Sequence, residues 1–318
     1  MVKNKRVSER SEKQKDLDFD TTSRLNHAPP AAMVLIYLTV GFLCICCILP
    51  FINILAVSLS EGPAIYENPQ MLFPRQFTLE AYKYILQTNV LLKSFGVTVF
   101  ATVAGTLCNM LVTVTGAYAV CRKGVPGQKI MMWIVVVPML FGAGLIPTYL
   151  LYNRLHLIDS IWVLVINGLV APFNLILMRN FFWSLPDSIF ESAEMDGASD
   201  ISILCRIVLP LSKSVMATVG LFYAVGHWND YFTGLYFISS NTKWPLQVLL
   251  KSIVIDFNMA GMGSTPGGAN SIDMSKIIVQ PENIRAATII FSIVPILIVY
   301  PYLQKYFVKG VVVGSVKG

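Results

Sequence analysis

Six long apolar stretches, near residues 32–58, 92–121, 129–152, 159–182, 213–238 and 286–307, leave this chain few ways to fold. Each is long enough to cross roughly 30 Å of hydrocarbon as a helix. Composition points the same way: hydrophobic residues make up 55% and charged residues 13%, against about 25% charged in an ordinary soluble domain. Mean hydropathy is +0.62. The expected fold is an all-α membrane protein of six transmembrane helices. Residues 1–30 form a cytoplasmic tail, expected to be disordered because seven Lys/Arg and five acids leave it no apolar run. Residues 31–309 form the membrane domain, and residues 310–318 a cytoplasmic C-terminal tail.

Charge sets the orientation. With the tail inside, sixteen Lys/Arg fall on the cytoplasmic side and eight on the other. That bias predicts both termini in the cytoplasm, and with them the polar loop between the fourth and fifth spans. The net charge of +6 is therefore read as topology, not as a nucleic-acid surface. No cleavable signal sequence is expected, since the first apolar run is long enough to stay in the membrane.

Within the spans, Gly96, Gly105 and Gly116 accompany several threonines in the second, a composition that suits close helix packing in lipid. The third holds Pro138, Gly142, Gly144 and Pro147 and is expected to kink or unwind, which is tolerated only where protein or a water-filled cavity satisfies the backbone. Cys44, Cys46, Cys47 and Cys108 lie in apolar spans and are expected to serve as small buried hydrophobes. Outside the membrane, residues 59–91 should carry a short amphipathic helix near Leu79–Leu86. Residues 240–284 should be irregular around Gly261–Gly268. That glycine-rich run lacks the Gly-Lys-Ser/Thr ending of a phosphate-binding loop and lies on the wrong side for ATP.

The polar loop, about 185–212, is an acidic island. Pro186 suits the first turn of a helix, and Gly197 the left-handed position just past a helix end. Ser199 can cap a second helix, whose Ile201, Leu204, Cys205 and Val208 recur at helical spacing and which Pro210 should stop. Ala193, Gly197 and Ile203 also fit the spacing of a DNA-binding helix-turn-helix. Five local acids, Asp187, Glu191, Glu194, Asp196 and Asp200, have only Arg206 and Lys213 nearby in sequence, and they would repel phosphate. A generic amphipathic loop remains the bland alternative.

The pattern Glu191-Ser192-Ala193, three residues, Gly197-Ala198, then Ile207, Leu209 and Pro210 resembles the EAA loop of ABC importer permeases. Ser192 stands where that pattern has alanine. The resemblance implies that Glu191, Ser192, Ala193, Asp196, Gly197, Ala198, Ile207, Leu209 and Pro210 form coupling helices seated in a cleft of a cytoplasmic ATPase dimer. The chain itself shows no Walker motif, so Mg-ATP would be bound by that partner, and no cofactor, metal or catalytic residue is expected here.

After the loop the chain re-enters the membrane with Tyr223, His227, Trp228, Asn229, Asp230 and Tyr231, then Gly234. Tyr223, His227, Asp230 or Tyr231, and Gly234 recur at helical spacing and should form one stripe. An ionisable residue in a span costs about 2.5–3.5 kcal/mol to insert and normally faces a cavity or partner. Sugars need hydrogen-bonding amides and carboxylates beside aromatic platforms, and Trp228-Asn229-Asp230-Tyr231 supplies both. The same residues could instead bond another helix or anchor the chain at the membrane interface. His227 has no companion ligands for a metal.

Trp228-Asn229-Asp230 and the ending Gly310-Val311-Val312-Val313-Gly314-Ser315-Val316-Lys317-Gly318 also resemble the carbohydrate, maltose-permease (MalG-like) branch. That resemblance implies alternating access driven by the ATPase, a second permease subunit, and an extracytoplasmic binding protein that delivers a sugar or oligosaccharide. It further implies a multi-pass location in a bacterial or archaeal cytoplasmic membrane, with lipid around the bundle and no nucleic-acid partner. A permease for a non-sugar solute and a gradient-driven secondary transporter remain alternatives. The second would need coupling-ion carboxylates at mid-membrane and inverted repeats, of which the chain offers only Asp230 and no convincing repeat.

Overall fold

The first two apolar runs and the last form unbroken helices, whereas the three between them are each interrupted. The structure, a computed structural model, describes residues 30–68, 70–87, 89–122, 124–260 and 280–315. Helix α1 (Pro30–Ser58) leads through α2 (Gly62–Glu67) and α3 (Glu80–Gln87) into α4 (Asn89–Cys121). The third run is split into α5 (Gln128–Leu140) and α6 (Leu145–Arg154), and the fourth into α7 (Val163–Ile166) and α8 (Pro172–Trp183). The acidic loop forms α9 (Asp187–Met195) and α10 (Asp200–Leu211). The fifth run is split into α11 (Lys213–Trp228) and α12 (Phe232–Phe237), followed by α13 (Leu246–Ala260) and α14 (Pro281–Ser315). Taken singly, three helices among the described residues are long and apolar enough to cross a bilayer: Ala31–Ser58, Asn89–Cys121 and Pro281–Val299.

Each interruption has a local cause. The expected break in the third run falls at Phe141–Gly144, where Gly144 adopts φ +81° between Pro138 and Pro147. In the fourth, Gly168 at φ +73° ends one helical piece and Pro172 opens the next. In the fifth, short polar side chains compete with the helix ladder: the Asn229 amide donates to the Val225 carbonyl (2.9 Å), and Asp230 Oδ1 accepts the Thr233 N–H (3.1 Å). The stripe expected from Tyr223 to Gly234 is therefore cut at residues 229–231. Its upper part, Gly234, packs instead against Pro245 and Val248.

Helix α4 is the axis of the bundle. Its buried face, including Leu91, Ser94, Thr98, Ala101, Gly105, Asn109 and Thr113, recurs every three or four residues and from Ser94 to Thr113 is small or polar. Small residues let neighbours approach, so the His227 ring lies directly over Gly105. Its Nε2 is 3.0 Å from Asn109 Oδ1, and the Asn109 amide donates to the Gly168 carbonyl (2.9 Å) at the second break. One turn on, Thr113 Oγ1 and the Tyr223 hydroxyl pair at 2.7 Å, and that hydroxyl also accepts the Ala171 N–H (3.2 Å). A second polar chain runs from the Tyr152 hydroxyl to Asn167 Oδ1 (2.9 Å), and from Asn167 Nδ2 to Thr233 Oγ1 (2.6 Å).

Outside these breaks, Asp159 at φ +57° clasps the loop after α6 to the segment after α12. Its carboxylate accepts the Ser240 N–H (2.8 Å) and hydroxyl (2.6 Å) and the Lys243 ammonium (2.8 Å). The amphipathic helix expected near Leu79–Leu86 is α3, while α2 and α13 occupy outer stretches read as loop. Cys44, Cys46, Cys47 and Cys108 were expected to be buried but are exposed: α1 is uncovered all round from Val34 to Ile52, and Cys108 lies off the buried face of α4. The expectations for residues 1–29, for Gly261–Gly268 and for residues 316–318 lie outside the described residues.

The α4 geometry makes a prediction. A Cβ at Gly105 would overlap the His227 imidazole, and overpacking of this kind costs about 1–3 kcal/mol. Gly105→Ala is expected to lower the thermal unfolding midpoint of the detergent-purified protein, whereas Gly96→Ala, with open space around it, should not lower it and should raise it slightly, since alanine is favoured over glycine inside a helix.

Candidate functional site

The acidic stretch folds as an elbow whose corner is a glycine turn. The Gly197 N–H donates to the Glu194 carbonyl (2.9 Å) and the Ala198 N–H to the Ala193 carbonyl (3.0 Å), the two bonds of a Schellman ending, with Gly197 at φ +75°. Ala193 is buried and Ala198 packs beside it, which is the apolar contact that accompanies such an ending. Ser199 then caps α10 by accepting the Ser202 N–H (3.4 Å). Pro186 takes the N-cap position of α9, one residue before the helix proper.

Two local expectations are corrected. The buried face of α10 is Ile203, Leu204 and Val208 with Ile207 half-buried, whereas Ile201 (76% exposed) and Cys205 face outward. Of the expected row Leu204 and Val208 are buried; packing against α4, α8 and α11 turns Ile203 and Ile207 inward in place of Ile201 and Cys205, with a π-helical turn over Leu204–Val208 adjusting the register. Pro210 does not stop the helix. It sits in the last turn, and the chain breaks at Ser212, from which α11 departs at 86° to α10.

The elbow is held by a residue that its own sequence does not contain. Arg122, one position past α4, donates to Glu194 Oε1 on α9 and lies 3.0 Å from Asp200 Oδ1 on α10, so one guanidinium joins both arms. It also sits 5.5 Å from the Phe190 ring centroid, and the Tyr118 hydroxyl donates to Asp200 Oδ1 (3.3 Å). Burial works against the Arg122 charge, but the Glu194 hydrogen bond and the Asp200 charge outweigh it and push its pKa above the ordinary value. Arg122 is some seventy positions from the elbow and reads in sequence only as a topology charge, so nothing local betrays it.

Between these elements lies a pocket of about 660 Å³ lined by Arg122, Trp183, Asp187, Phe190, Glu191 and Asp200, among others. Of the predicted coupling residues, Glu191, Ser192, Asp196, Gly197 and Pro210 are exposed, Ala198, Ile207 and Leu209 are half-buried, and Ala193 is in the core. Exposed beside the corner are Met195 (87%) and Ile201 (76%), two large apolar side chains on an acidic rim.

The second group of predicted residues surrounds the break in the fifth run. Tyr223 and His227 face α4 through the hydrogen bonds described above. Trp228 is buried and meets Phe95 edge-on at 6.0 Å. Asn229 is exposed, and Asp230 and Tyr231 are half-buried in the unwound turn. The α13 helix closes this turn: Gln247 Nε2 donates to the Trp228 carbonyl (3.3 Å), and the Lys251 ammonium stands 4.3 Å from the Tyr231 ring centroid. Gln247 and Lys251 escaped the sequence reading because residues 240–284 gave no helical signal strong enough to place them on one face.

The bridge predicts a local effect. Arg122→Gln is expected to raise amide hydrogen exchange across residues 194–202 severalfold with α4 itself unaffected, while Arg122→Lys should restore part of the protection.

Comparison with known proteins gives a consistent result. The family model for the binding-protein-dependent transport system inner membrane component matches residues 112–313. Protein LplC of Bacillus subtilis is 43% identical over 271 residues, covering 85% of this chain and 90% of LplC. The polygalacturonan/rhamnogalacturonan transport system permease protein YtcP of the same organism is 40% identical over 292 residues, 90% of this chain and 98% of YtcP. Among solved structures, a chain of a bacterial ABC transporter involved in importing the acidic polysaccharide alginate superposes with a TM-score of 0.79 at 33% identity. It covers 87% of this chain and 97% of that one.

Proposed function

The chain belongs to the binding-protein-dependent transport system inner membrane components, and from that premise we propose that it is a permease subunit of an ATP-driven importer for a sugar or oligosaccharide. Six segments cross the membrane, the three broken ones as paired halves, with both termini and the elbow on the cytoplasmic side. The relatives named above are bacterial where their names say so, which narrows the expected host to a bacterium and its cytoplasmic membrane. A cytoplasmic ATPase dimer holding Mg-ATP grips the elbow, a second permease subunit completes the pathway, and an extracytoplasmic binding protein delivers the solute.

The observation that carries this reading is the elbow itself. Met195 and Ile201 protrude from a corner that Gly197 and Arg122 hold in shape, and exposed apolar side chains of this size on a polar rim suit a protein cleft. ATP-driven closure of the ATPase subunits would carry the elbow inward and reorient the bundle as a body. The sugar class is supported by YtcP, a polygalacturonan/rhamnogalacturonan permease, and by the transporter involved in importing alginate. Asn229, Asp230 and Tyr231 contact the solute from the unwound turn, and Tyr223, His227 and Trp228 brace that turn from α11.

Gly197→Val tests the elbow, since a β-branched residue at φ +75° is strained whatever the space around it. Solute uptake by the reconstituted complex is expected to fall at least tenfold while membrane insertion of this chain is unchanged. Normal uptake by that variant, uptake that needs no ATP, or a complete complex without a nucleotide-hydrolysing subunit would refute the proposal.

A further inference from the structure

A file of aromatic rings joins the fifth broken segment to the third. It begins where α13 covers the unwound turn: Gln247 satisfies the freed Trp228 carbonyl, and four residues on, on the same helix face, Lys251 stands over Tyr231. From Tyr231 the rings continue to Phe232 (centroids 5.3 Å apart), then to Tyr236 (5.8 Å, interplanar 21°) and Phe237 (6.4 Å). The file ends on α6 at Tyr149, stacked on Phe237 at 6.2 Å. Phe232 (62%), Tyr236 (42%) and Tyr149 (41%) are exposed along it, and Phe237, buried at 4%, backs Tyr236 and Tyr149 from beneath. Lys251 is exposed too.

We infer that this file is a track for an oligosaccharide bearing carboxylates, with Lys251 reading the charge. The inference rests on the sugar-import reading above. Sugar rings offer C–H faces that stack on aromatic rings, and exposed rings on both sides of the buried Phe237 (Phe232 and Tyr236 on α12, Tyr149 on α6) suit a ligand of several units better than a single sugar. The ammonium at its head selects uronate units over neutral ones through a charge-assisted hydrogen bond. A membrane-interface belt of aromatics is the competing occupant. It is disfavoured at the Tyr231 end, because an unwound backbone is tolerated only against protein or water.

The test uses the reconstituted importer with its partner subunits and binding protein, an oligogalacturonate, and the methyl ester of the same oligosaccharide. In Lys251→Met the KM for the acid is expected to rise about tenfold, the scale of one charge-assisted contact, while the KM for the ester stays constant. Lys251→Arg should restore the wild-type value. Phe232→Ala and Tyr236→Ala, both at exposed positions, should raise KM for acid and ester alike. Size-exclusion chromatography checks assembly of each variant, and Lys251→Gln replaces Lys251→Met if the latter does not assemble. An unchanged KM for the acid in the lysine variants overturns the charge assignment. Unchanged KM in both ring variants returns the rings to a lipid belt and overturns the track. A wild-type importer that takes up another solute on ATP but neither oligosaccharide defeats this inference alone, and one with no ATP-dependent uptake defeats the importer reading as well.

Discussion

Hydrocarbon offers no partner to a backbone amide or carbonyl, and in two of the three broken segments side chains supply what lipid could not. Asn109 takes the carbonyl of Gly168, Gln247 that of Trp228, and Asp230 the N–H of Thr233. The donors and acceptors are shared in turn, so His227 leans on Asn109 and Asn167 bridges Tyr152 to Thr233. Partly satisfied, such a network would be costlier than an apolar core. Satisfied, it lets non-helical turns persist inside the helix bundle.

Legibility in the sequence followed the range of the interactions. The apolar runs, the unwinding of the third, the helix near residue 80 and the corner at Gly197 were all readable, since each depends on neighbours within a few positions. The breaks at Gly168 and Asn229–Tyr231 had signals, a glycine followed by a proline and an Asn-Asp pair, but hydrophobic length masked them. The burial side of α10 was not decidable locally, because Ile201 and Ile203 begin equally regular rows and only the distant faces of α4, α8 and α11 choose between them.

For the candidate site the division is similar. The type of residue needed at the elbow was visible in the acidic, glycine-cornered pattern, while its anchor was not. Arg122 reaches it from the end of another helix, and a single guanidinium spans Glu194 and Asp200 where two separate lysines would have to be placed independently. Likewise Tyr231 could be nominated from its neighbours, but Lys251 joins it through the path of α13, which residue spacing alone did not reveal.

The right angle at Ser212 has a mechanical consequence. Arms of 12 and 16 residues measure about 18 and 24 Å at 1.5 Å per residue, and Val208, Val215 and Val219 pack into one cluster across their junction. The pair is built like a bell crank whose second limb is about a third longer than its first. A push across the free end of α10, turning about Ser212, would emerge as a displacement across α11 at right angles to it, larger by about that same third at the far end.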